Sequence, residues 1–243
     1  RNITDAGSAM LPADRQPEFF HRFILGTYDL MERLTANSPD ILFENCSGGG
    51  GRFDPAMLYY SPQIWASDNT DPIERLYIQF GTSVCYPAST VGAHVSACGR
   101  TGYKTKGNVA LWGTFGYELD PLKLTDADRK IIKDQVKLYH NTYDLIRDGD
   151  LYRLVSPFEN PFRAIWQIVS EDKNRTMVTV VTMRADHIPH TIVKLRGLTP
   201  EKQYTNEVTG ETYSGALLMN AGINLTYTAN NDGDSAVLLF KAL

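Results

Sequence analysis

The sequence has 243 residues, of which 42% are hydrophobic and 11% are aromatic, a composition typical of globular proteins. Its formal net charge is -4, whereas proteins that bind nucleic acid or an anionic membrane surface usually carry an excess of basic residues. We therefore expect neither partner. The sequence has three cysteines, Cys46, Cys85 and Cys98, without CxxC spacing. An odd number without this spacing favours free thiols and a cytoplasmic location.

The chain up to residue 150 alternates predicted helices and short strands. An amphipathic helix is predicted over 17–36, and strands are predicted at ILFENC (41–46) and QIWASD (63–68), with four consecutive glycines between them. A helical pattern follows at 72–81, and GTSVCYP (81–87) and TFGYEL (114–119) are predicted as further strands. The helix over 125–148 begins at a cap, Thr125, and ends at Gly149.

Short alternating runs separated by turn signals dominate the rest of the chain, beyond the turn-rich segment LYRLVSPFENPF (151–162). These runs are AIWQIVS, TMVTVVTMR, TIVKLRGL, KQYTNEV, LTYTA and SAVLLFKAL. They predict a small all-β unit, whereas the alternating helices and strands before it predict a parallel sheet or barrel. The predicted fold class is therefore α/β followed by a β domain, with domains at 1–150 and 151–243.

Three familiar motifs can be compared with the sequence and rejected. The glycine run is not a phosphate-binding loop, because Arg52 stands where that loop requires Lys followed by Ser or Thr. The segment that starts at Asp68 is not a calcium loop, since its twelfth position is Gln79. His187 and His190 have no Cys or acidic residue at a recognisable ligand spacing, so we predict no metal site.

Chemically useful residues follow two of the predicted strands. Cys46 and the glycines come after the first, and Trp65 and Asp68 end the second, where barrel enzymes place their chemistry. In a purely structural interpretation Trp65 packs in a core, Asp68 caps the next helix and Cys46 is a small buried hydrophobe. In a functional one the site binds a sugar: Trp65 offers a flat apolar face, Asp68 an acid, and the glycines a close approach.

Six segments together resemble the α-galactosidases of glycoside hydrolase family 36 over essentially the whole chain. They are CSGGGGRFDP (46–55), PQIWASDNTDPIERL (62–76), GTSVCYPASTVGAHVS (81–96), GTFGYELD (113–120), LYRLVSPFE (151–159) and YSGALLMNAG (213–222). The resemblance implies the C-terminal half of a (β/α)8 TIM-type barrel followed by an antiparallel β-sandwich. It also implies hydrolysis, with retention of configuration, of terminal α-1,6-linked galactose from oligosaccharides such as melibiose and raffinose, without a metal or organic cofactor.

The resemblance also assigns roles to single residues. Asp68 matches the general acid/base. The residues that it places at the substrate are Cys46, Gly48, Gly49, Trp65 and Arg52, of which Arg52 has the least defined role.

The nucleophile of the family lies in a K-W-D-M-N stretch directly before a segment like RNITDAGS, which places it three residues before Arg1. A retaining mechanism needs two carboxylates, so we expect the isolated chain to be inactive and to require the N-terminal half of the enzyme as partner. The resemblance further implies a homo-oligomer, often a tetramer. The alternative is a non-catalytic module for carbohydrate binding or assembly.

Overall fold

The computed structural model describes residues 6–186 and 191–243. The chain divides into two compact units, one up to Asp68 and one from Asn69 onward. The domain boundary at residues 150 and 151 stays a prediction. Among the helices of the described residues, none combines the length and the apolar character that crossing a membrane requires.

The first unit contains a parallel pair of very short strands and two helices. Its elements are α1 (Phe19–Asn37), β1 (Glu44–Asn45), α2 (Pro55–Tyr60) and β2 (Gln63–Ile64). Glu44 lies opposite Gln63 in the parallel pair. The predicted amphipathic helix is confirmed, but its apolar face is not covered: Phe20 is 41% exposed and Leu34 also 41%.

The second unit begins with strands and helices in alternation. These elements are α3 (Pro72–Thr82), β3 (Gly92–Ser96), α4 (Tyr103–Ala110), β4 (Thr114–Glu118) and α5 (Asp126–Asp148). Strands β3 and β4 are parallel, with Gly92 opposite Thr114. Parallel strands joined through a helix form the repeating unit that the alternating pattern predicted.

The prediction of a strand at GTSVCYP is wrong, because these residues form the end of α3 and the turn that follows it. Ser83 is the C-cap residue, and its hydroxyl donates to the carbonyl of Phe80. The N–H groups of Cys85 and Tyr86 both donate to the carbonyl of Thr82. The strand of this region is β3, which begins only after the turn.

Side-chain caps determine where α3 and α5 begin. Asp71 caps α3 by accepting from the N–H groups of Ile73 and Glu74, so the interpretation in which Asp68 caps this helix is wrong. Thr125 is the N-cap of α5 and Gly149 its C-cap, as predicted, and the structure adds a reciprocal capping box between Thr125 and Asp128.

A six-stranded antiparallel sheet dominates the remainder of the second unit. The strands and the helix here are β5 (Asp150–Val155), β6 (Arg163–Val169), β7 (Arg175–Thr182), β8 (Ile192–Val193), β9 (Gln203–Asn206), β10 (Thr212–Ser214), α6 (Gly215–Asn220), β11 (Ile223–Asn224) and β12 (Ser235–Ala242). The order in the large sheet is β10-β9-β12-β7-β6-β5, and β8 pairs with β11 in a separate antiparallel pair.

Three features of this region differ from the predictions. The turn-rich segment at 151–162 contains most of β5, which pairs with β6 along its length. The run LTYTA is a turn, because the pairing residues are Ile223 and Asn224 just before it. The unit is also not all β, since α6 interrupts it.

Both faces of the six-stranded sheet are covered at its centre, where every residue of β6 is buried. On one face Trp166 of β6 packs against Trp112, with ring centroids 4.8 Å apart, and Phe80 of α3 joins the pair. On the other face Val193 of β8 and Leu218 of α6 belong to a second hydrophobic cluster with residues of the sheet. Strands buried on both faces read as continuous apolar runs, as AIWQIV does.

The contact between α4 and α5 generates a stability prediction. A Cβ atom at Gly107 would overlap the amide of Gln135, which is buried and donates to the carbonyls of Tyr103 and Lys104. We expect Gly107→Ala to lower the free energy of unfolding by about 1–3 kcal/mol, because the amide must move and break these bonds. Urea-induced unfolding measures this change.

Gly26→Ala is the matched control, because Gly26 lies inside α1 and a Cβ atom there would meet nothing within 4 Å. This replacement should raise the free energy of unfolding by about 0.5–1 kcal/mol through helix propensity alone. A Gly107→Ala protein as stable as the parent would contradict the packing that we describe.

Candidate active site

The ends of the parallel strands β1 and β2 bring two predicted site residues together. Cys46 directly follows β1, and Asp68 lies beyond the end of β2. The Cys46 thiol donates a hydrogen bond to Oδ1 of Asp68 at 3.5 Å. Asp68 is exposed and Cys46 is partly buried, so the carboxylate faces water while one of its oxygens lies beside sulfur.

The loop between the strands has an unusual backbone. Ser47, Gly48, Gly49 and Gly50 have φ angles of 82°, 68°, 79° and 88°, all in the left-handed region. Glycine adopts this region freely, whereas a residue with a side chain does so at a cost of about 1–3 kcal/mol. Ser47 carries that strain, and its buried Oγ has no hydrogen-bond partner among the described residues.

The absence of side chains from this loop is explained by the neighbouring backbone. A Cβ atom at Gly50 would overlap the carbonyl oxygen of Ala66, and one at Gly49 would lie 3.1 Å from the backbone nitrogen of Asp68. The N–H of Gly49 also donates to Sγ of Cys46 at 3.5 Å. The glycines therefore let the loop pack against residues 66–68, in addition to any ligand that they admit.

Trp65 is held by a residue that the sequence analysis did not identify. Its indole Nε1 donates to Oε1 of Glu44 at 2.9 Å, and the side-chain amide of Gln63 donates to the other oxygen of that carboxylate. Trp65 is only 7% exposed, so its role as a platform for the sugar stays a prediction. Glu44 could have been found from its place at the polar end of ILFENC.

The remaining polar residues of the loop have separate roles. Asp54 is the N-cap of α2 and accepts from the N–H of Met57 at 2.9 Å. No described residue forms a hydrogen bond or an ion pair with the half-buried guanidinium of Arg52, and its assignment to the substrate stays a prediction.

The described residues contain no group of three or more His, Cys, Asp or Glu side chains that could hold a metal ion. His94 of β3 instead lies 3.0 Å from Oε1 of Glu118 through its Nδ1. His187 and His190 fall outside the described residues. The three cysteines are free thiols.

What the site offers chemically is the solvated carboxyl group of Asp68, beside a thiol donor and a loop of exposed main chain.

Comparisons with known proteins find relatives that are named α-galactosidases. A family model described as melibiase matches residues 1–149, and the glycosyl hydrolase family 36 C-terminal domain matches residues 163–240. α-Galactosidase AgaA of Geobacillus stearothermophilus is 47% identical over 238 residues, covering 95% of this chain and 32% of that protein. The α-galactosidase/sucrose kinase AgaSK of Mediterraneibacter gnavus is 51% identical over 210 residues, covering 84% of this chain and 22% of that protein.

Solved structures agree with these relatives. The crystal structure of family 36 α-galactosidase AgaB from Geobacillus stearothermophilus has a TM-score of 0.93 and 46% identity, and the match covers 100% of this chain and 34% of that one. AgaA variants in complex with raffinose and with stachyose have TM-scores of 0.93 and 0.94 at 45% and 46% identity; both matches cover 34% of those chains. These likenesses confirm the predicted fold class. The chain spans about a third of the length of the first relatives that it matches.

The contact between Gly50 and Ala66 can be tested by substitution. Gly50→Ala should lower the free energy of unfolding by about 1–3 kcal/mol more than backbone strain alone accounts for, because the new Cβ atom meets a carbonyl oxygen that cannot rotate away. Gly210→Ala is the matched control: Gly210 has a φ of 74° and a Cβ atom there would meet nothing within 4 Å. Equal losses in the two variants, measured by urea unfolding, would show that the loop does not press on residue 66.

Proposed function

The chain belongs to glycoside hydrolase family 36, the melibiase family, and on that premise we propose that it contributes to the active site of a retaining α-galactosidase. The observation that carries this proposal is the exposed carboxylate of Asp68 beside the Cys46 thiol, at the ends of two parallel strands. The proposed substrates are oligosaccharides with a terminal α-1,6-linked galactose, such as melibiose and raffinose. The raffinose and stachyose complexes of AgaA support this choice.

Asp68 is the proposed general acid and base. In the first step a second carboxylate attacks C1 of the galactose unit, the glycosidic C–O bond breaks, and Asp68 donates its proton to the departing oxygen. In the second step Asp68 takes a proton from water, the water oxygen bonds to C1, and the bond between galactose and enzyme breaks. Two displacements at one carbon retain its configuration.

The separation along the sequence of two aspartates that are replaced in AgaA variants supports this assignment. The AgaA variant crystallised with raffinose has an aspartate replaced by asparagine, and the variant crystallised with stachyose has an aspartate replaced by alanine. Counted in residues along the sequence, those two aspartates of AgaA are as far apart as Asp68 and the position three residues before Arg1. The resemblance puts the nucleophile at that position.

We propose further that Cys46, Gly48, Gly49, Trp65 and Arg52 contact the galactose unit. The loop geometry supports a role for the main chain of the glycines, because no side chain shields it from an approaching ring.

The free thiols support a cytoplasmic location. The proposed partners are the N-terminal half of the enzyme and further copies of it in a homo-oligomer. The uncovered apolar face of α1 is consistent with a partner of this kind.

Replacement of Asp68 tests its role as the acid. In the polypeptide that carries this chain, we expect Asp68→Ala to lower kcat/KM for raffinose by about 10²–10⁴-fold, because a sugar leaving group needs protonation. An aryl α-galactoside with an acidic phenol should lose far less. Asp71→Ala is the matched control, since Asp71 caps α3 and its loss should affect both substrates equally. Equal losses for Asp68→Ala would contradict the acid role.

The hydrogen bond from Cys46 makes a separate prediction. Cys46→Ser keeps a donor and should retain most of kcat/KM for raffinose, whereas Cys46→Ala should lose about fivefold, close to the energy of one hydrogen bond. In an Asp68→Ala background the loss caused by Cys46→Ala should be smaller, because only the proposed contact with galactose is then removed and not the hydrogen bond to the carboxylate. Losses of the same size in both backgrounds would contradict a role of the thiol through Asp68.

A further inference from the structure

A cavity lined by none of the residues of the candidate active site opens beside the β9–β10 hairpin. Its volume is about 410 Å³, within the range of small-molecule sites. The β9–β10 hairpin forms one wall, β11 with the residues on either side of it forms the other, and residues of β12 form the floor. In the sheet Phe240 of β12 lies directly opposite Asn206 of β9, so the floor is apolar beside a polar group.

Two asparagine side chains on the cavity wall are fixed with their amide donors unused. Asn206 is 6% exposed, and its Oδ1 accepts from the N–H groups of Val208 and Thr209. Oδ1 of Asn224 accepts from both the N–H and the hydroxyl of Thr226. The Nδ2 groups of both asparagines find no acceptor among the described residues. A ligand that enters the cavity thus meets donors whose orientation is already set.

Glu211 supplies the matching acceptor. Its Oε2 accepts from the phenol of Tyr213 at 2.7 Å and from the hydroxyl of Thr209 at 3.1 Å, and no described residue donates to Oε1. The hydrogen bond to Glu211, together with burial, raises the pKa of the Tyr213 phenol, which therefore keeps its proton. The ring of Tyr213 packs edge to face on Phe240 at 6.4 Å, which holds this group in place.

Tyr227 is the aromatic residue of the cavity that faces water. It is 93% exposed, although an aromatic ring of this size gains free energy when its face is covered. The turn that Thr226 forms with Asn224 immediately precedes it and holds this part of the loop. An exposed ring beside oriented amide and carboxylate groups is complementary to a sugar, whose C–H face is apolar and whose hydroxyls both donate and accept.

Other classes of ligand fit less well. Among the described residues that line the cavity there is no lysine or arginine, so a phosphate or another anion would find no counter-charge there. Glu211 is the one carboxylate among them, and a hard cation requires several oxygen ligands. We propose that this cavity binds a hexose unit of a neutral oligosaccharide or polysaccharide. This second carbohydrate site goes beyond the proposed function and does not require hydrolysis.

Affinity electrophoresis in native gels that contain galactomannan tests the proposal. The polypeptide that carries this chain, with Asp68→Asn to prevent turnover, should migrate more slowly as the polysaccharide concentration rises. Adding Tyr227→Ala should weaken the apparent affinity about tenfold, because the stacking surface is lost, while Tyr227→Phe should stay within about twofold. Glu211→Gln keeps the shape but changes the acceptor, and should weaken binding about fivefold.

Tyr59→Ala provides the matched control, because Tyr59 is also an exposed tyrosine, at 79%, and does not line the cavity. Its migration should equal that of the parent. The proposal is overturned if Tyr227→Ala and Glu211→Gln are retarded as strongly as the parent, or if the parent is not retarded at all. Hydrolysis of raffinose by the unsubstituted protein is measured separately, so a failure of the proposed activity is distinguishable from a failure of this site.

Discussion

The glycine loop of the candidate active site packs against the carbonyl oxygen of Ala66, and this contact sets the position of the other groups of the site. Gly50 packs on the carbonyl of Ala66, and Gly49 packs on the backbone of Asp68. Because the loop lies this close, the Gly49 N–H reaches the sulfur of Cys46, and the thiol reaches the carboxylate of Asp68. The distance between the thiol and the carboxylate thus depends on glycine, with no side chain, at positions 49 and 50.

The two units differ in how they are stabilised. The second has a sheet buried on both faces, with paired tryptophans on one side and the cluster around Val193 and Leu218 on the other. The first has two-residue strands and a helix without a buried residue, although it carries Cys46 and Asp68. Local stability follows apolar burial, so we expect the site-bearing unit to open more readily than the sheet.

Much of the secondary structure could be predicted from local signals. The helix α5 has a capping box at Thr125 and a terminal Gly149, which need no distant partner. The strand predicted at GTSVCYP failed because its β-forming residues continue from α3, and turn hydrogen bonds to Thr82 prevail over composition. Strand β5 escaped prediction because its pairing partner β6 lies beyond a turn-rich segment. Propensity is a weak guide wherever such distant pairing decides the conformation.

The candidate site was predictable in part. Parallel strands bring their carboxyl ends to one edge, so the meeting of Cys46 and Asp68 follows from the pattern. The role of Glu44 does not follow from the pattern, because its hydrogen bonds to Trp65 and Gln63 depend on the register of the two strands. The reason for the glycines could not be predicted either. The sequence suggests room for a ligand, whereas the atoms that exclude a side chain at Gly50 belong to the chain itself.

The contact at Gly50 also has a genetic consequence. Every amino acid that replaces glycine has a Cβ atom, and at this position that first atom already overlaps the Ala66 carbonyl. Every amino-acid replacement that a single-nucleotide change in a glycine codon can cause, such as alanine, serine, valine or aspartate, meets this overlap. Replacement at this position therefore carries a packing cost set by the chain itself, and we expect changes in the specificity of such a site to arise at other residues.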